Sequence, residues 1–551
     1  MAHWLAELRR RKVHRVLIAY FAATWLLAQV IQFLAEAFVW QPWVLRAGVV
    51  VFVLGLPVVA AIAWFFEITS AGLVREKDVP SSAARPGAHD AVAKLAVLPF
   101  KPIVAVGRDE ALEFGMTDTL ITRLSGIHDV VVRPLSSVRR YADLDQDPIA
   151  AGRELGVESV LDGSVQKSGQ RLRVTARLLC VADGRQLWSE RFEEQFEDIF
   201  AVQDSIADRV TAALALRLST AEQQRIKLRP TNDTVAYDLF LNGRYYWNRR
   251  ASPDDLSRAT EFYSRAVARD SRFALAYSGL ADALAVQGVF GVRSPQEVYP
   301  RALAAAGRAL ELDQDLAGAN AHATRGHIRL SFQHDWQGAL DDYDEAIRRE
   351  PRYAMAHMWR GFRLIFVGHG TEGLAEVQTA KDLEPDSLAL AVNHARALYW
   401  LRRYGEAEAG LKRVLQIESG NGLARGMLVR VYTQQGQHEA ALAQLALGDA
   451  RSPGSHSFKG VALALAGRTS EARDELQRLT ELATGNYVPA YDLAAINTAM
   501  GDIGEAFAWL DRAIVEPSVE LTTLRVDPVM DRLRGDPRYG VVEKKLRMPP
   551  S

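Results

Sequence analysis

The sequence has little of what metal and redox chemistry require. It contains a single cysteine, Cys180, in 551 residues. One cysteine excludes an internal disulfide and argues against a thiolate zinc site, because such sites use two or more thiolates. Net charge is also nearly absent, since 66 basic residues balance 67 acidic ones and leave a formal charge of −1. This balance argues against binding of nucleic acid.

Motifs of catalysis are missing as well. The sequence has no G-x-x-x-x-G-K-[ST] phosphate loop, no G-x-G-x-x-G after a strand and no G-x-S-x-G elbow. His322, His327 and His334 are close in sequence, but their spacing does not suit one helix face and no H-E-x-x-H accompanies them. We therefore predict no catalytic, cofactor-binding or metal-binding residues, no cofactor and no enzymatic activity.

Two long apolar runs are present near the N-terminus, at residues 16–37 and 47–66. Each is about as long as the roughly 20 residues that a helix needs to cross a bilayer. A cleavable signal peptide is the alternative for the first run, but its apolar part is too long and a second run follows directly. The pattern predicts a two-helix transmembrane hairpin over residues 16–70 of a protein in the bacterial inner membrane.

Basic residues predict the orientation of this hairpin. Those before the first run are Arg9, Arg10, Arg11, Lys12 and Arg15, and those after the second are Arg75 and Lys77. By the positive-inside rule, residues 1–15 and the later domains lie in the cytoplasm, although a periplasmic location stays open. Residues 71–93 are polar, contain Pro and Gly, and are typical of a linker.

The pattern of residues 94–219 predicts an α/β domain with a mixed sheet. Residues 94–100 are typical of a short buried strand, and residues 109–127 carry apolar side chains at helical spacing. After a turn at residues 167–170, apolar and polar residues alternate, which predicts a strand with one buried face. Cys180 lies on the apolar side of this alternation, so we expect a small core residue and not a nucleophile.

Three arginines share the polar face of that strand: Arg171, Arg173 and Arg177. Such a row is a candidate ligand face for phosphate or carboxylate. The alternative is a solvated face paired with nearby Glu190, Glu193 and Glu194, and this is the ordinary explanation for exposed charge.

The last part of the chain repeats one phrase, in which a small residue is followed at fixed intervals by an aliphatic or aromatic residue and a second small one. Several copies start at a constant step (339 to 373, 373 to 407, 407 to 441, 472 to 506). A step of this size predicts stacked helical hairpins. The small residues that we expect to pack where helices cross are Ala259, Ala302, Ala339, Gly373, Ala407, Ala472 and Ala506. We predict a connector at 220–232, the repeat array at 233–523 and a C-terminal cap at 524–551.

The sequence also resembles known families. The segments that carry the resemblance include LAVLPF at 95–100, GRELGVESVLDGSV at 152–165, RLRVTARLL at 171–179 and DIFAVQDSIADRV at 198–210. They are similar to the TolB-type amino-terminal domain of bacterial membrane proteins and regulators that also carry tetratricopeptide repeats. This resemblance implies an α/β domain of uncertain ligand, with no established catalytic residues.

The predicted fold class is thus multidomain, with a two-helix transmembrane hairpin, an α/β TolB-like domain and a C-terminal all-α tetratricopeptide solenoid. The predicted function is a non-catalytic, membrane-anchored scaffold or adaptor that binds a protein or peptide in the groove of the repeats. The predicted partners are therefore a protein and the lipid bilayer, with no nucleic acid, and a homo-oligomer is possible. A sensor whose TolB-like domain binds a ligand, and whose repeats relay the signal, is the alternative.

Overall fold

The computed structural model describes residues 66–69, 72–75, 93–102, 108–127, 129–142, 145–214, 216, 219, 223, 229–249, 252–448 and 453–550. The chain divides into two compact units, Met1–Ala91 and Val92–Ser551. In the first unit, the described residues form an antiparallel pair of strands, β1 (Phe66–Thr69) and β2 (Gly72–Arg75). Phe66 pairs with Arg75, and Thr69 with Gly72.

The second unit begins with a six-stranded mixed sheet. Its strands are β3 (Ala93–Val97), β4 (Lys101–Pro102), β5 (Val130–Val132), β6 (Ser159–Ser168), β7 (Arg171–Cys180) and β8 (Gln186–Gln195). The order is β5-β3-β6-β7-β8, and β4 pairs with β6. The pairs of β3 with β5 and β6 are parallel, whereas β6, β7 and β8 form an antiparallel meander. The accompanying helices are α1 (Glu110–Ser125), α2 (Leu135–Val138), α3 (Pro148–Glu154) and α4 (Ile199–Ala213).

Strand β7 shows both what the alternation predicts and where it fails. Leu172 and Val174 are buried, and the turn before the strand contains Gly169 at a φ of 60°. A register shift between Leu178 and Leu179 then interrupts the pairing with β8. Because a bulge reverses which side chains face the core, Leu179 is buried and Cys180 is partly exposed. The expectation of a buried Cys180 is therefore wrong.

Helical hairpins make up the rest of the chain, each with a first helix (A) and a second helix (B). The A and B helices in chain order are α5 (Thr234–Arg249) and α6 (Pro253–Arg269), α7 (Ala274–Val289) and α8 (Pro295–Leu312), α9 (Gln314–Gln333) and α10 (Trp336–Arg349), α11 (Ala354–Phe366) and α12 (Gly370–Leu383), α13 (Leu388–Trp400) and α14 (Tyr404–Ile417), α15 (Gly422–Gln434) and α16 (His438–Ala446), α17 (Pro453–Leu465) and α18 (Thr469–Leu482), and α19 (Ala490–Met500) and α20 (Ile503–Val515). Two 3₁₀ turns, Glu520–Thr523 and Pro528–Leu533, and α21 (Pro537–Lys545) follow.

The fold class predicted from the sequence is therefore wrong. The described chain is mostly helical with a C-terminal array of hairpins, and none of its described helices is long and apolar enough to cross a membrane. The hairpin predicted over residues 16–70 lies outside the described residues except at its end, where Phe66–Thr69 forms β1. Apolar and polar residues alternate in the sequence of β1, and a period of two favours a strand over a helix.

The sheet module and the first helical hairpin share one hydrophobic core. Arg244 of α5 makes two hydrogen bonds of 2.6 Å to the carboxylate of Asp118 on α1. The hydroxyl of Tyr237 lies 2.8 Å from that of Thr119. This contact fixes the beginning of the array on the sheet module. Separating Arg244 from Asp118 would leave two partly buried charges without partners, which is unfavourable.

The turn between the A and B helices repeats one conformation. A residue with a left-handed backbone occupies it in successive hairpins, and these residues are His334, Gly368, Arg402, Gly436, Gly467 and Gly501. Their positions recur at the same step as the small residues, and the one shorter step, from Gly436 to Gly467, falls at the same place in the array. Glycine adopts this conformation without strain, which explains its use in four of these six turns.

The small residues lie where the A and B helices cross. Ala259, Ala302, Ala339, Ala407, Ala472 and Ala506 are fully buried, and Gly373 is buried as well. At Gly373 the approach is closest, since a Cβ there would lie 2.5 Å from the carbonyl oxygen of Gly361. The helices of this hairpin can therefore meet only if both positions lack a side chain.

Replacing Gly373 by Ala tests this constraint. We expect the free energy of unfolding to fall by about 1–3 kcal/mol, because the added methyl group overlaps backbone atoms that cannot move alone. The matched control is Gly410→Ala on helix α14, where the nearest atom to an added Cβ is 3.9 Å away. That variant should be neutral or more stable by up to about 1 kcal/mol. Urea denaturation followed by circular dichroism measures both, and equal stability of the two variants would contradict the constraint.

Candidate functional site

The end of the chain returns along the array, and residues 517–548 are called the return segment here. Its 3₁₀ turns pack on the A helices α9 and α19. The indole N–H of Trp336 donates to the carbonyl oxygen of Leu546 at 2.8 Å. The guanidinium of Arg402 lies 2.8 Å from the carboxylate of Asp531. A stretch of polypeptide thus contacts hairpins far from it in sequence, through its 3₁₀ turns on two A helices and through Trp336 and Arg402 at the A–B turns.

Asp527 is the centre of this contact, and its side chain is 2% exposed. Its carboxylate accepts hydrogen bonds from the guanidinium of Arg430 at 2.8 Å, the hydroxyl of Tyr491 at 3.2 Å and the hydroxyl of Tyr399 at 3.3 Å. It also accepts from the backbone N–H of Val529 at 3.1 Å and so caps the second 3₁₀ turn. The three side-chain donors, Tyr399, Arg430 and Tyr491, are called the acid pocket.

The acid pocket is suited to a carboxylate in its charged form. Burial, and then the charge of Asp527, raise the pKa of Tyr399 well above its usual range, so its hydroxyl stays a donor. The guanidinium of Arg430 lies over the Tyr399 ring, 4.8 Å from its centroid. A planar cation held in this way, with two hydroxyl donors beside it, replaces the water that an anion loses on entering.

A second arginine, Arg396, lies one hairpin earlier at the equivalent position, since it precedes Arg430 by one full repeat. Burial, followed by repulsion from Arg430, lowers the pKa of Arg396 to about 10, whereas Glu520 acts in the opposite direction. Among the described residues, no carboxylate lies within ion-pair distance of Arg396. This guanidinium therefore gains less from the return segment than Arg430 does.

Asp492 of α19 adds a titratable group to the same surface. Burial, followed by repulsion from Glu520 of the return segment, raises the pKa of Asp492 to about 7. Arg430 and a hydrogen bond with Ser457 favour its charged form, but their effect is smaller. The carboxyl group consequently carries a proton in much of the population near neutral pH.

The arginine face predicted from the sequence lies on β7, away from these groups. The guanidinium of Arg173 is 3.1 Å from the carboxylate of Glu193, and that of Arg177 is 2.7 Å from Asp162. Arg171 is exposed at the start of the strand. Two of the three predicted ligand residues are thus in ion pairs within the sheet, as the alternative of a paired, solvated face expects.

The three histidines noted in the sequence, His322, His327 and His334, lie in different environments. His322 pairs with Asp342 at 2.8 Å, whereas burial lowers the pKa of His327 to about 4. His334 occupies a left-handed turn. Among the described residues, no group of three or more His, Cys, Asp or Glu side chains is arranged to hold a metal ion.

Sequence reasoning missed the acid pocket. Tyr399, Arg430 and Tyr491 stand on three A helices, and Asp527 lies 97 residues beyond Arg430. The Asp527-Pro528 dipeptide indicates a helix start, but nothing in the sequence says that the same carboxylate would also bind the array. The only signal was the repeated spacing of Arg396 and Arg430 in equivalent helices.

Helical hairpins that recur at a constant step define an α-solenoid. The family model for the tetratricopeptide repeat matches residues 402–461, which lie within the helices α14 to α17 and their connections. The chain therefore carries tetratricopeptide repeats, a class of repeat that commonly presents a binding surface for proteins or peptides. The predicted repeats are confirmed.

One curated relative is "Putative adenylate cyclase 3" of Rhizobium meliloti (strain 1021), which is 30% identical over 278 residues. The match covers 49% of this chain and 45% of the relative, so the chain spans less than half the length of the curated relative that it matches.

Several solved structures are similar to this chain. A tetratricopeptide repeat protein from Parabacteroides merdae ATCC 43184 is 15% identical, with 50% of this chain and 100% of that chain covered and a TM-score of 0.34. Yeast Tom70 is 16% identical, with 64% and 83% covered and a TM-score of 0.35. PilW, a type IV pilus biogenesis factor, is 20% identical, with 38% and 98% covered and a TM-score of 0.29.

The protonation of Asp492 gives a prediction about pH. Because its pKa is raised in the folded chain, the folded state binds a proton that the unfolded state releases above about pH 4. The free energy of unfolding should therefore fall as the pH rises from about 4 to 7. In Asp492→Asn this part of the fall should disappear. The free energy of unfolding of the variant, relative to that of the wild type, should therefore be higher at pH 8 than at pH 4. Thermal unfolding at both pH values measures it, and parallel curves for the two proteins would contradict the prediction.

Proposed function

We propose that this protein is a non-catalytic scaffold that binds a protein partner through the A-helix side of its tetratricopeptide array. The observation that supports it most is the return segment itself, a stretch of polypeptide seated on these helices by a buried carboxylate. A surface that recognises a segment of its own chain through Arg430 and two tyrosines has the donors that recognition of another chain requires.

The sheet module has a structural part in this proposal. We propose that it corresponds to the TolB-like domain that the sequence resembles, and that it serves as the platform of the array. The core that it shares with the first hairpin supports a platform, because buried side chains of both parts pack against one another. We do not assign a cyclase activity, since the match to the Rhizobium meliloti protein covers 45% of that relative.

An experiment in the native host tests binding through the A-helix side. Proteins cross-linked to the tagged full chain are identified and quantified for the wild type and for Arg396→Ala. Recovery of the true partner should fall by about tenfold or more, since an interface arginine that pairs with a carboxylate commonly contributes about 2 kcal/mol.

The matched control is Arg413→Ala, an exposed arginine on the B helix α14. It removes the same side chain from the opposite helix of the same hairpin and should leave recovery unchanged. Equal recovery from both variants and the wild type would contradict binding at the A-helix side.

We further propose that the scaffold works at the bacterial inner membrane, with the array in the cytoplasm. The support comes from the sequence, in which apolar runs at 16–37 and 47–66 are flanked by basic residues.

Alkaline carbonate extraction of host membranes tests this location. The full chain should stay in the membrane pellet, whereas a variant without residues 1–91 should be extracted, because about 0.8 kcal/mol of anchoring free energy is lost with each CH₂ group no longer buried in lipid. A reporter fused after Ser551 then distinguishes the cytoplasm from the periplasm. Extraction of the full chain by carbonate would contradict a membrane location.

A further inference from the structure

The return segment makes two different kinds of contact. Its apolar side chains pack into the core of the last hairpins, which are formed by helices α17 to α20, and they include Leu521, Leu524, Met530, Leu533 and Tyr539. Toward the hairpins formed by helices α9 to α16, called the middle hairpins, it presents mainly polar groups, namely the carboxylates of Asp527 and Asp531 and the carbonyl oxygen of Leu546. Val526 and Met548 are its partly buried apolar contacts with the core of the middle hairpins.

This division determines what would be exposed if the two parts separated. The return segment could remain folded on helices α19 and α20, where its apolar surface is buried. The middle hairpins would lose little apolar contact, but Arg430 would be left without its carboxylate. An unpaired desolvated charge is costly, so this separation is unfavourable unless another anion replaces Asp527.

The middle hairpins carry more cationic side chains than Asp527 pairs with. Arg430 and Tyr399 bind Asp527, Arg402 binds Asp531 in a half-exposed pair, and Arg396 has no carboxylate within ion-pair distance among the described residues. These four side chains, Arg396, Tyr399, Arg402 and Arg430, are called the basic inner face. A ligand with two carboxylates could pair with both Arg396 and Arg430, which Asp527 alone does not.

We propose that the basic inner face is the binding site for an acidic segment of the partner protein, and that Asp527 is a built-in competitor for that site. The proposal rests on the scaffold function and adds the chemistry of its ligand. Because Asp527 is part of the same chain, it acts at an effective concentration on the order of mM. A partner must therefore bind Arg396 as well as Arg430 to displace it at lower concentrations.

Binding of a defined peptide to the full chain tests this competition. The probe is a fluorescent peptide with the sequence of residues 517–536, which supplies both Asp527 and Asp531, and fluorescence polarisation measures its affinity. Wild-type chain should bind it weakly, and Asp527→Asn should bind it about tenfold more tightly, because the internal competitor has lost its charge. A probe that itself carries Asp527→Asn should bind neither protein.

The matched control is Asp531→Asn in the full chain. Its carboxylate also faces an arginine of the basic inner face, but its side chain is 47% exposed, compared with 2% for Asp527. Exposed pairs contribute little, so the affinity for the probe should change by less than about threefold. Adding Arg430→Ala to the Asp527→Asn chain should remove the gained affinity, because Arg430 is the cation that pairs with the Asp527 carboxylate of the probe.

A second variant tests the same competition without changing Asp527. Trp336→Phe keeps the aromatic ring but removes the hydrogen bond to Leu546, which lies outside the basic inner face. It should raise the affinity for the probe in the same direction by a few fold. Thermal unfolding accompanies each variant, so that a rise in affinity is read only from folded protein.

Three results would overturn the proposal. The first is an affinity that rises in neither Asp527→Asn nor Trp336→Phe. The second is a gain that survives Arg430→Ala, since the probe would then bind elsewhere. The third is a dimer of the Asp527→Asn chain that the probe dissociates, because the occupant would then be a second copy of this chain. If cross-linking in the host still depends on Arg396 in any of these cases, the scaffold function stands and only the competition by Asp527 fails.

Discussion

The array depends on how closely the two helices of a hairpin can approach. At the tightest crossing, an added Cβ at Gly361 or Gly373 would lie within 2.6 Å of the other residue's carbonyl oxygen. Alanine occupies the corresponding positions of other hairpins, where it is fully buried. This steric limit sets the geometry of each hairpin, and the similarity of the hairpins allows one to stack on the next.

Stacking is also what creates the surface on which the return segment lies. It brings helices α13, α15 and α19 together, so that Tyr399, Arg430 and Tyr491 surround one carboxylate. A buried ion pair contributes less to stability than to specificity, because its desolvation offsets much of the attraction. The acid pocket therefore fixes where Asp527 lies, while the apolar core of the last hairpins keeps the return segment folded.

Particular residues show how far the sequence could be read. The repeats were predictable, because small residues and left-handed turns recur at one constant step and helical packing is local. The ion-pair partners of Arg173 and Arg177 were not predictable, since they depend on which carboxylates the meander of β6, β7 and β8 places beside these arginines. Cys180 was misplaced because a bulge cannot be seen in an alternating pattern. The predicted fold class was wrong at the transmembrane hairpin, since none of the described helices is long and apolar enough to cross a membrane and Phe66–Thr69 forms a strand.

The sequence by itself determined that this protein is built on tetratricopeptide repeats, where their helices cross and which residues must be small. These properties follow from interactions between residues near one another in the chain. Only the tertiary structure decided that Asp527 lies against Arg430 and that Arg396 has no such partner among the described residues. The physical reason is that the position of this carboxylate relative to its donors depends on how all the intervening hairpins stack. No single sequence motif specifies that arrangement.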